Sequence, residues 1–258
     1  METAPANPDS GLQSPQTTVW SRLLNVFAAP GEVFEEVKNS KPSTANWLAP
    51  ALIFIVVGVI SSVVIFSQPA IVQQIRDQQT KVMDDQVKAG KLTQAQADQA
   101  LAAMDKFAGP TMLMMFGCVG AAFGSFAHIF WWAFILWLMA QLILKTKIPY
   151  LKAAEVAGLT TMIVVLGAVV TILLTVITGK LGMTPSLALT IGDFDMKNKM
   201  HLLLAAVNIF SFWQIGVAAS GLARLTGQPF SKALLLVFLY WLAFTLFFVG
   251  IGFGQMTM

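Results

Sequence analysis

Residues 111–144 read TMLMMFGCVGAAFGSFAHIFWWAFILWLMAQLIL and contain no Asp, Glu, Lys or Arg. A bilayer core about 30 Å thick is crossed by roughly 20 helical residues, and at about 1.5 Å per residue this run makes a helix of roughly 50 Å. Such a helix must tilt, bend or extend beyond the core. Two spans of about 17 residues joined at Gly124-Ser125 are the alternative. Because the middle of the run has no Pro or charged turn, one long span is favoured, with Gly124-Ser125 as the point of any bend.

The composition places the whole chain in the same class. Hydrophobic residues make up 56% and charged residues 11% of the 258 residues, against about 25% charged residues in an ordinary soluble domain. We therefore predict an all-α, polytopic membrane protein. Its five predicted transmembrane helices lie at about residues 47–67, 111–144, 153–178, 202–223 and 233–253.

The segment before the first span divides into a tail and a helical part. Residues 1–17 are rich in Pro, Ser and Asn and are predicted to be disordered. In residues 18–44 the apolar residues that recur at helical spacing and share one face are Trp20, Leu23, Leu24 and Phe27. This pattern predicts amphipathic, interfacial helices on a membrane surface. A short soluble helical pair packed on the loops is the alternative.

Residues 45–258 form the predicted membrane domain, in which a polar segment is inserted between the first two spans. Apolar residues recur at helical spacing within residues 70–109, Gly90 interrupts the pattern, and acidic and basic residues balance. We predict an extramembrane helical hairpin here, which is either solvated or in contact with a partner.

Basic residues decide the predicted orientation. The short connections after the second and fourth spans are basic and carry Lys145, Lys147, Lys152, Arg224 and Lys232. Short basic connections favour the cytoplasmic side. We therefore predict a cell-membrane protein with its N-terminus in the cytoplasm and its C-terminus on the opposite side. The net charge of +3 is small and is assigned to topology, so nucleic acid is not an expected partner.

No residue pattern predicts a catalytic set, a metal site or a cofactor. Motifs for intramembrane proteolysis and for phosphate binding are absent, and two His with one Cys make no zinc site of usual spacing. Polar side chains at membrane depth are functional candidates by default, and we expect no acidic side chain among them. The candidates are His128, Asn208, Ser211 and Gln214. They serve either helix–helix hydrogen bonds or a substrate path.

Small residues predict close helix packing. Gly120-x-x-x-Gly124 in the long span and Gly216-x-x-x-Ser220 in the fourth span allow another backbone to approach. The simplest interpretation is packing within one bundle, and a motif of this kind does not by itself establish dimerisation.

Four stretches together resemble a known family. They are RLLNVFAAPGEVFEEV before the first span, GAAFGSFAHIFWWAFILWL in the long span, KIPYLKAAEVAGLTTM at the start of the third, and NIFSFWQIGVAASGLARLTGQPFSKAL joining the fourth and fifth. In their order and spacing they resemble the bacterial members of the Yip (Ypt-interacting protein) domain family of five-span membrane proteins.

The resemblance implies a cytoplasmic N-terminus and no catalytic residues. In eukaryotic members it also implies a link to Rab-type GTPases, vesicle traffic and membrane shape. Residues 105–110, DKFAGP, depart from the Asp-Leu-Tyr-Gly-Pro-like signature of those members by one extra residue and a displaced aromatic. No eukaryotic partner is therefore carried over.

Three functions are compatible with these patterns. The leading hypothesis is a non-enzymatic membrane scaffold or adaptor of the Yip type. Its helices would pack around the long span, and its interfacial helices and hairpin would contact membrane lipid, other membrane proteins or a second copy. A small-solute or ion transporter or channel, with a path near the four polar candidates, is the first alternative. An accessory subunit of a larger membrane complex is the second.

Overall fold

A computed structural model describes residues 18–107, 109–192, 194 and 198–251. Residues 1–17, where the disordered tail is predicted, lie outside the described part, as do the last two residues of the predicted fifth span. The α-helices of the described chain are α1 (Val19–Ala28), α2 (Pro30–Asn39), α3 (Ala45–Phe66), α4 (Pro69–Lys88), α5 (Gln94–Phe107), α6 (Pro110–Leu138), α7 (Tyr150–Thr178), α8 (Lys199–Ala206), α9 (Ile209–Thr226) and α10 (Phe230–Gly250).

Four helices of the described residues are long and apolar enough to cross a membrane. They are α3, α6 with the π-helix that extends it to Ile143, α7 and α10. Each overlaps one of the predicted spans and differs from it by a few residues at the ends. The prediction of an all-α, polytopic membrane protein is confirmed.

The predicted span 202–223 is divided between two helices. α8 ends at Ala206, and α9 begins at Ile209 because Val207 and Asn208 leave helical geometry. The Asn208 side chain accepts a hydrogen bond of 2.9 Å from the backbone N–H of Phe210, as is typical of Asn at an N-cap. With 18 residues, α9 is about 27 Å long. The structure therefore confirms four of the five predicted spans. α9 is the helix that covers most of the predicted span 202–223.

The long apolar stretch forms one helix that continues through its middle. α6 has no interruption at Gly124-Ser125, where the Ser125 hydroxyl donates a hydrogen bond of 2.6 Å to the carbonyl of Ala121. Ser placed this way satisfies its polar group within its own helix. The alternative of two short spans joined at this point is excluded. The α-helix gives way to the π-helix Met139–Ile143, which ends before Lys145 with its φ of 52°.

The polar segment between the first two spans forms the antiparallel helices α4 and α5. Gly90 adopts a φ of +70° between them, a conformation that favours glycine. Thr93 and Gln96 then cap α5 reciprocally, since the Gln96 side chain accepts from the Thr93 N–H and the Thr93 hydroxyl accepts from the Gln96 N–H. Gln74 fixes α4 to the chain after α7, donating to the Gly179 carbonyl at 2.7 Å and accepting from the Leu181 N–H at 3.1 Å.

The packing centre is α7 and not the long helix α6. Every residue of α7 from Lys152 to Thr161 is buried, whereas α6 buries only Ser125, Ile129, Ala133 and Leu136. A helix buried on all sides must be surrounded by other helices, and α7 packs against α1, α2, α3, α6 and α9. The expectation that the bundle packs around the long span is therefore wrong. Three alanines and one glycine in the first half of α7, Ala153, Ala154, Ala157 and Gly158, permit close neighbours on every side.

Close helix packing lies beside the glycines of the two predicted motifs and not at them. Within the described residues nothing lies within 4 Å of a Cβ built at Gly120, Gly124 or Gly216, so these glycines make no close helix contact in the chain. The Ser220 hydroxyl would lie 3.8 Å from a Cβ built at Gly31 of α2, and a Cβ at Gly221, adjacent to Ser220, would collide with a Val156 methyl.

The close contacts between α3 and α6 lie at Gly58, whose Cβ would be 2.6 Å from that of Ala121, and at Gly117, whose Cβ would be 2.5 Å from the Ser62 hydroxyl. Glycine is required at these positions because any side chain would collide.

Candidate functional site

The two helices that precede the membrane domain fold onto the bundle. Thr18 caps α1 by accepting from the Ser21 N–H at 3.2 Å. Pro30 occupies the first turn of α2, where its missing N–H costs nothing. Their inner faces are fully or nearly fully buried and consist of Leu23, Val26, Val33, Phe34 and Val37. Burial of this apolar surface is the main force that holds α1 and α2 against the bundle.

The four residues of the apolar stripe predicted for α1 do not all face the same way. Leu23 is 3% exposed and Phe27 contacts the Trp213 ring edge-on at a centroid distance of 5.9 Å. Trp20 and Leu24 face the other way, with exposed fractions of 69% and 70%. α1 therefore presents one apolar face to its own protein and a second to its surroundings.

A buried polar network lies beneath α1 and α2. The Arg22 guanidinium contacts the Glu36 carboxylate at 3.3 Å and donates to the Asn46 side-chain oxygen at 3.4 Å. Asn46 in turn donates to a Glu155 carboxylate oxygen at 2.5 Å. Asn46 and Glu155 are completely buried and Arg22 is 8% exposed. The network connects α1, α2, α3 and α7, and its members are buried except for Glu36, whose side chain is 39% exposed.

Lys152 completes the network from the first turn of α7. Its ammonium lies 3.2 Å from the second Glu155 oxygen as an ion pair, and it donates to the Val37 carbonyl and to the Ser40 hydroxyl. Since Val37 ends the buried face of α2, this contact fixes the C-terminal end of α2 to α7. The buried charges Lys152 and Glu155 pair with each other, and the nearly buried Arg22 pairs with the partly exposed Glu36, as buried charges require.

Sequence reasoning missed this network. Glu155 lies inside the predicted third span 153–178, so the expectation of no acidic side chain in a span is wrong. The signal was present, because Lys152 and Glu155 are one helical turn apart in an otherwise apolar stretch. Arg22 was also visible as a charge off the apolar stripe of α1. Their connection through Asn46 required the tertiary fold, since Asn46 lies 109 residues from Glu155.

The four polar candidates come together near the first turns of α9. Asn208, Ser211 and Gln214 line a cavity of about 220 Å³ between α3, α7 and α9. His128 reaches its edge from α6, where its Nε2 lies 3.5 Å from Gln214 Nε2 and its ring meets the Phe54 ring edge-on at 5.9 Å. Gly167 also lines the cavity, and a Cβ there would stand 3.1 Å from Phe210. The absence of a side chain at Gly167 thus admits α9 close to α7.

The cavity offers hydrogen-bonding groups without a charged centre. Its hydroxyl and amide side chains suit a water molecule or a small neutral polar group. Among the described residues no three His, Cys, Asp or Glu side chains are grouped as metal ligands. The Asn208 oxygen is already used at the α9 N-cap, but its amide N–H groups and the side chains of Thr171, Ser211 and Gln214 also line the cavity.

Apolar helices long enough to cross a bilayer, with their interior charges paired, define an integral membrane protein of the polytopic helical class. Residues 24–251 match the Yip1 domain, and the chain therefore belongs to the Yip1 domain family. No curated protein and no solved structure matches the chain. The matched range runs from α1 to the end of α10 and thus includes the docked helices, most of the polar network and the cavity.

Proposed function

We propose that this protein is a non-enzymatic scaffold or adaptor in the cell membrane. The observation that carries the proposal is the division of α1 into a docked face and an exposed face. Arg22 and Leu23 hold the helix on the bundle, while Trp20 and Leu24 stay exposed. Full burial of a large apolar side chain contributes about 1.5–3 kcal/mol, so two such side chains on a fixed helix supply a useful contact for lipid or for another membrane protein.

The contacts of α2 support a cytoplasmic N-terminus. Lys152 follows the connection between α6 and α7, and Arg224 precedes the connection between α9 and α10; both contact α2, through Val37 and Glu35. The short basic connections therefore lie at the same end of the bundle as α1 and α2. Short connections rich in Lys and Arg favour the cytoplasmic side, and α10 then carries the C-terminal end to the opposite side.

The exposed face of α1 is tested by Trp20→Ser combined with Leu24→Ser. We expect the variant to lose most of the lipid or protein that co-purifies with the wild type from native membranes in mild detergent, because about 3–6 kcal/mol of apolar contact is removed. Membrane insertion and thermal stability should be unchanged, since neither side chain is buried. Met200→Ser, at an exposed apolar position of α8 outside the interfacial helices and the hairpin, is the control and should retain the associated material.

Unchanged association in the double variant would contradict the scaffold proposal. A fixed-stoichiometry complex that survives the double variant would instead favour an accessory subunit, whose contacts lie elsewhere on the bundle.

A small-solute path is the second candidate, because His128, Asn208, Ser211 and Gln214 meet at one cavity. C-terminal to Gln214, the following turns of α9 pack closely against the bundle. Ala218 and Ala219 are fully buried, and Leu222 is 1% exposed. This arrangement supports a local polar cavity more than a continuous path.

Reconstituted vesicles distinguish the second candidate from the first. We expect no solute or ion flux above that of protein-free vesicles, and Ser211→Leu with Gln214→Leu should leave co-purification unchanged. If the wild type supports a flux and this variant abolishes it, the protein is a transporter and the scaffold proposal is wrong.

A further inference from the structure

A second cavity lies at the opposite end of α9 from the polar candidates. It has a volume of about 440 Å³ and is open on one side. Its lining comes from α2, the end of α9 and the start of α10, and consists of Glu35, Lys38, Ser220, Ala223, Arg224, Gly227, Gln228 and Phe230. None of the four polar candidates and neither exposed residue of α1 belongs to it, so it is independent of the proposed function.

The cavity carries charges of both signs. Arg224 lies 3.5 Å from one Glu35 carboxylate oxygen and Lys38 lies 3.7 Å from the other. These side chains are between 41% and 53% exposed, and ion pairs that are this long and solvated contribute little to stability. A guanidinium has five N–H donors and an ammonium has three, so both cations keep donors for a ligand while they face Glu35.

The α10 N-terminus adds positive potential to the same cavity. Pro229 occupies the N-cap without a side-chain cap hydrogen bond, and the Lys232 N–H donates to its carbonyl at 3.1 Å. The N–H groups ahead of Lys232 begin at Phe230, which lines the cavity. The N-terminus of a helix carries a partial positive charge and binds phosphate groups. α10 is one of the helices fit to span the membrane, and its 21 residues make it about 31 Å long, close to the thickness of a bilayer core. We therefore expect its first turn at the depth of the lipid headgroups.

We propose that this cavity binds the headgroup of a phospholipid that carries both a phosphate and an ammonium. Arg224, Lys38 and the first turn of α10 hold the phosphate, and the Glu35 carboxylate pairs with the ammonium. Phe230, which is 50% exposed, packs against the start of an acyl chain. A headgroup with phosphate alone brings a negative charge beside Glu35 without an ammonium to offset it, and so binds less well.

The test uses the full-length protein in mild detergent, with the thermal midpoint followed against three additives. These are phosphatidylethanolamine, phosphatidylglycerol and inorganic phosphate. We expect the wild type to be stabilised most by phosphatidylethanolamine and not by inorganic phosphate at the same concentration. The apparent affinity for phosphatidylethanolamine should fall about tenfold in Lys38→Gln with Arg224→Gln, because charge-assisted contacts to phosphate are lost.

Two further variants distinguish binding in the cavity from general attraction between basic residues and lipid. Lys147→Gln removes a basic residue at the same end of the bundle, outside the cavity lining, and should bind like the wild type. Glu35→Gln should reverse the preference, so that phosphatidylglycerol stabilises more than phosphatidylethanolamine.

Three results would overturn the inference. They are equal lipid effects in the wild type and the Lys38/Arg224 variant, an unchanged preference in Glu35→Gln, and stabilisation by inorganic phosphate as large as that by lipid. The last would mark a site for the free ion. None of them bears on the association of Trp20 and Leu24 with partners, so failure here and failure of the proposed function are distinguishable.

Discussion

Glu155→Ala should lower the free energy of unfolding by about 3–5 kcal/mol, the cost of breaking a buried ion pair from one side. Glu155 is completely buried, so its loss leaves the Lys152 ammonium and the Asn46 amide without their carboxylate partner. Both groups hold α1 and α2 on the bundle, through Arg22 and through the Val37 carbonyl. We therefore expect these two helices to become accessible to protease before the spans unfold.

Thermal unfolding in detergent and limited proteolysis measure the two parts of this prediction. Glu32→Ala, which removes an exposed carboxylate of α2, is the control and should change stability by less than about 0.5 kcal/mol. Lys152→Met with Glu155→Leu replaces the ion pair by apolar side chains of similar size, and should recover only part of the stability lost in Glu155→Ala, because Asn46 and the Val37 carbonyl still lose their partners. Equal stability of Glu155→Ala and Glu32→Ala would contradict the role given to the network.

Gly158→Ala is expected to destabilise by about 1–3 kcal/mol, as overpacking of a tight contact does. A Cβ at this position would lie 2.7 Å from the Trp47 Cβ and 2.9 Å from the Asn46 carbonyl oxygen. The backbone of Trp47 is closer still, so α3 must move away from α7. That movement also carries Asn46 away from Glu155, and the two effects add.

Gly120→Ala is the matched control, because a Cβ at Gly120 has nothing within 4 Å. Replacing Gly by Ala within a helix stabilises by roughly 0.5–1 kcal/mol when space allows. The two substitutions should thus shift the thermal midpoint in opposite directions. Equal shifts would show that α3 and α7 are not in contact at Gly158.

The apolar spans were predictable because a bilayer imposes a minimum helix length that composition alone reveals. The division between α8 and α9 was not, since a hydropathy pattern gives no weight to a capping side chain. Asn208 lies inside the predicted span 202–223, whereas its oxygen caps α9. The prediction of one continuous helix through this residue is therefore wrong.

The candidate site was predictable only in part, for a geometric reason. Spacing along one helix gives the shared face of Ser211 and Gln214, but the approach of His128 from α6 depends on how the helices are packed. Small-residue motifs likewise predict close packing without identifying the face: Gly120 has open space around it, whereas Gly58 and Gly117 form the contact. Glu155 shows the opposite case, a charge that hydropathy averages conceal within an apolar window.

Photo-cross-linking from α1 is the most direct measurement of the central claim, that docked α1 presents an apolar face to partners or lipid. A photoreactive phenylalanine analogue is placed at position 20 or 24 of the full-length protein, or in place of the buried Phe34 as the control, and native membranes are irradiated. The account predicts adducts with another protein or with lipid from positions 20 and 24, and only intramolecular products from position 34. Adducts from position 34 equal to those from positions 20 and 24, or none from any, would contradict it.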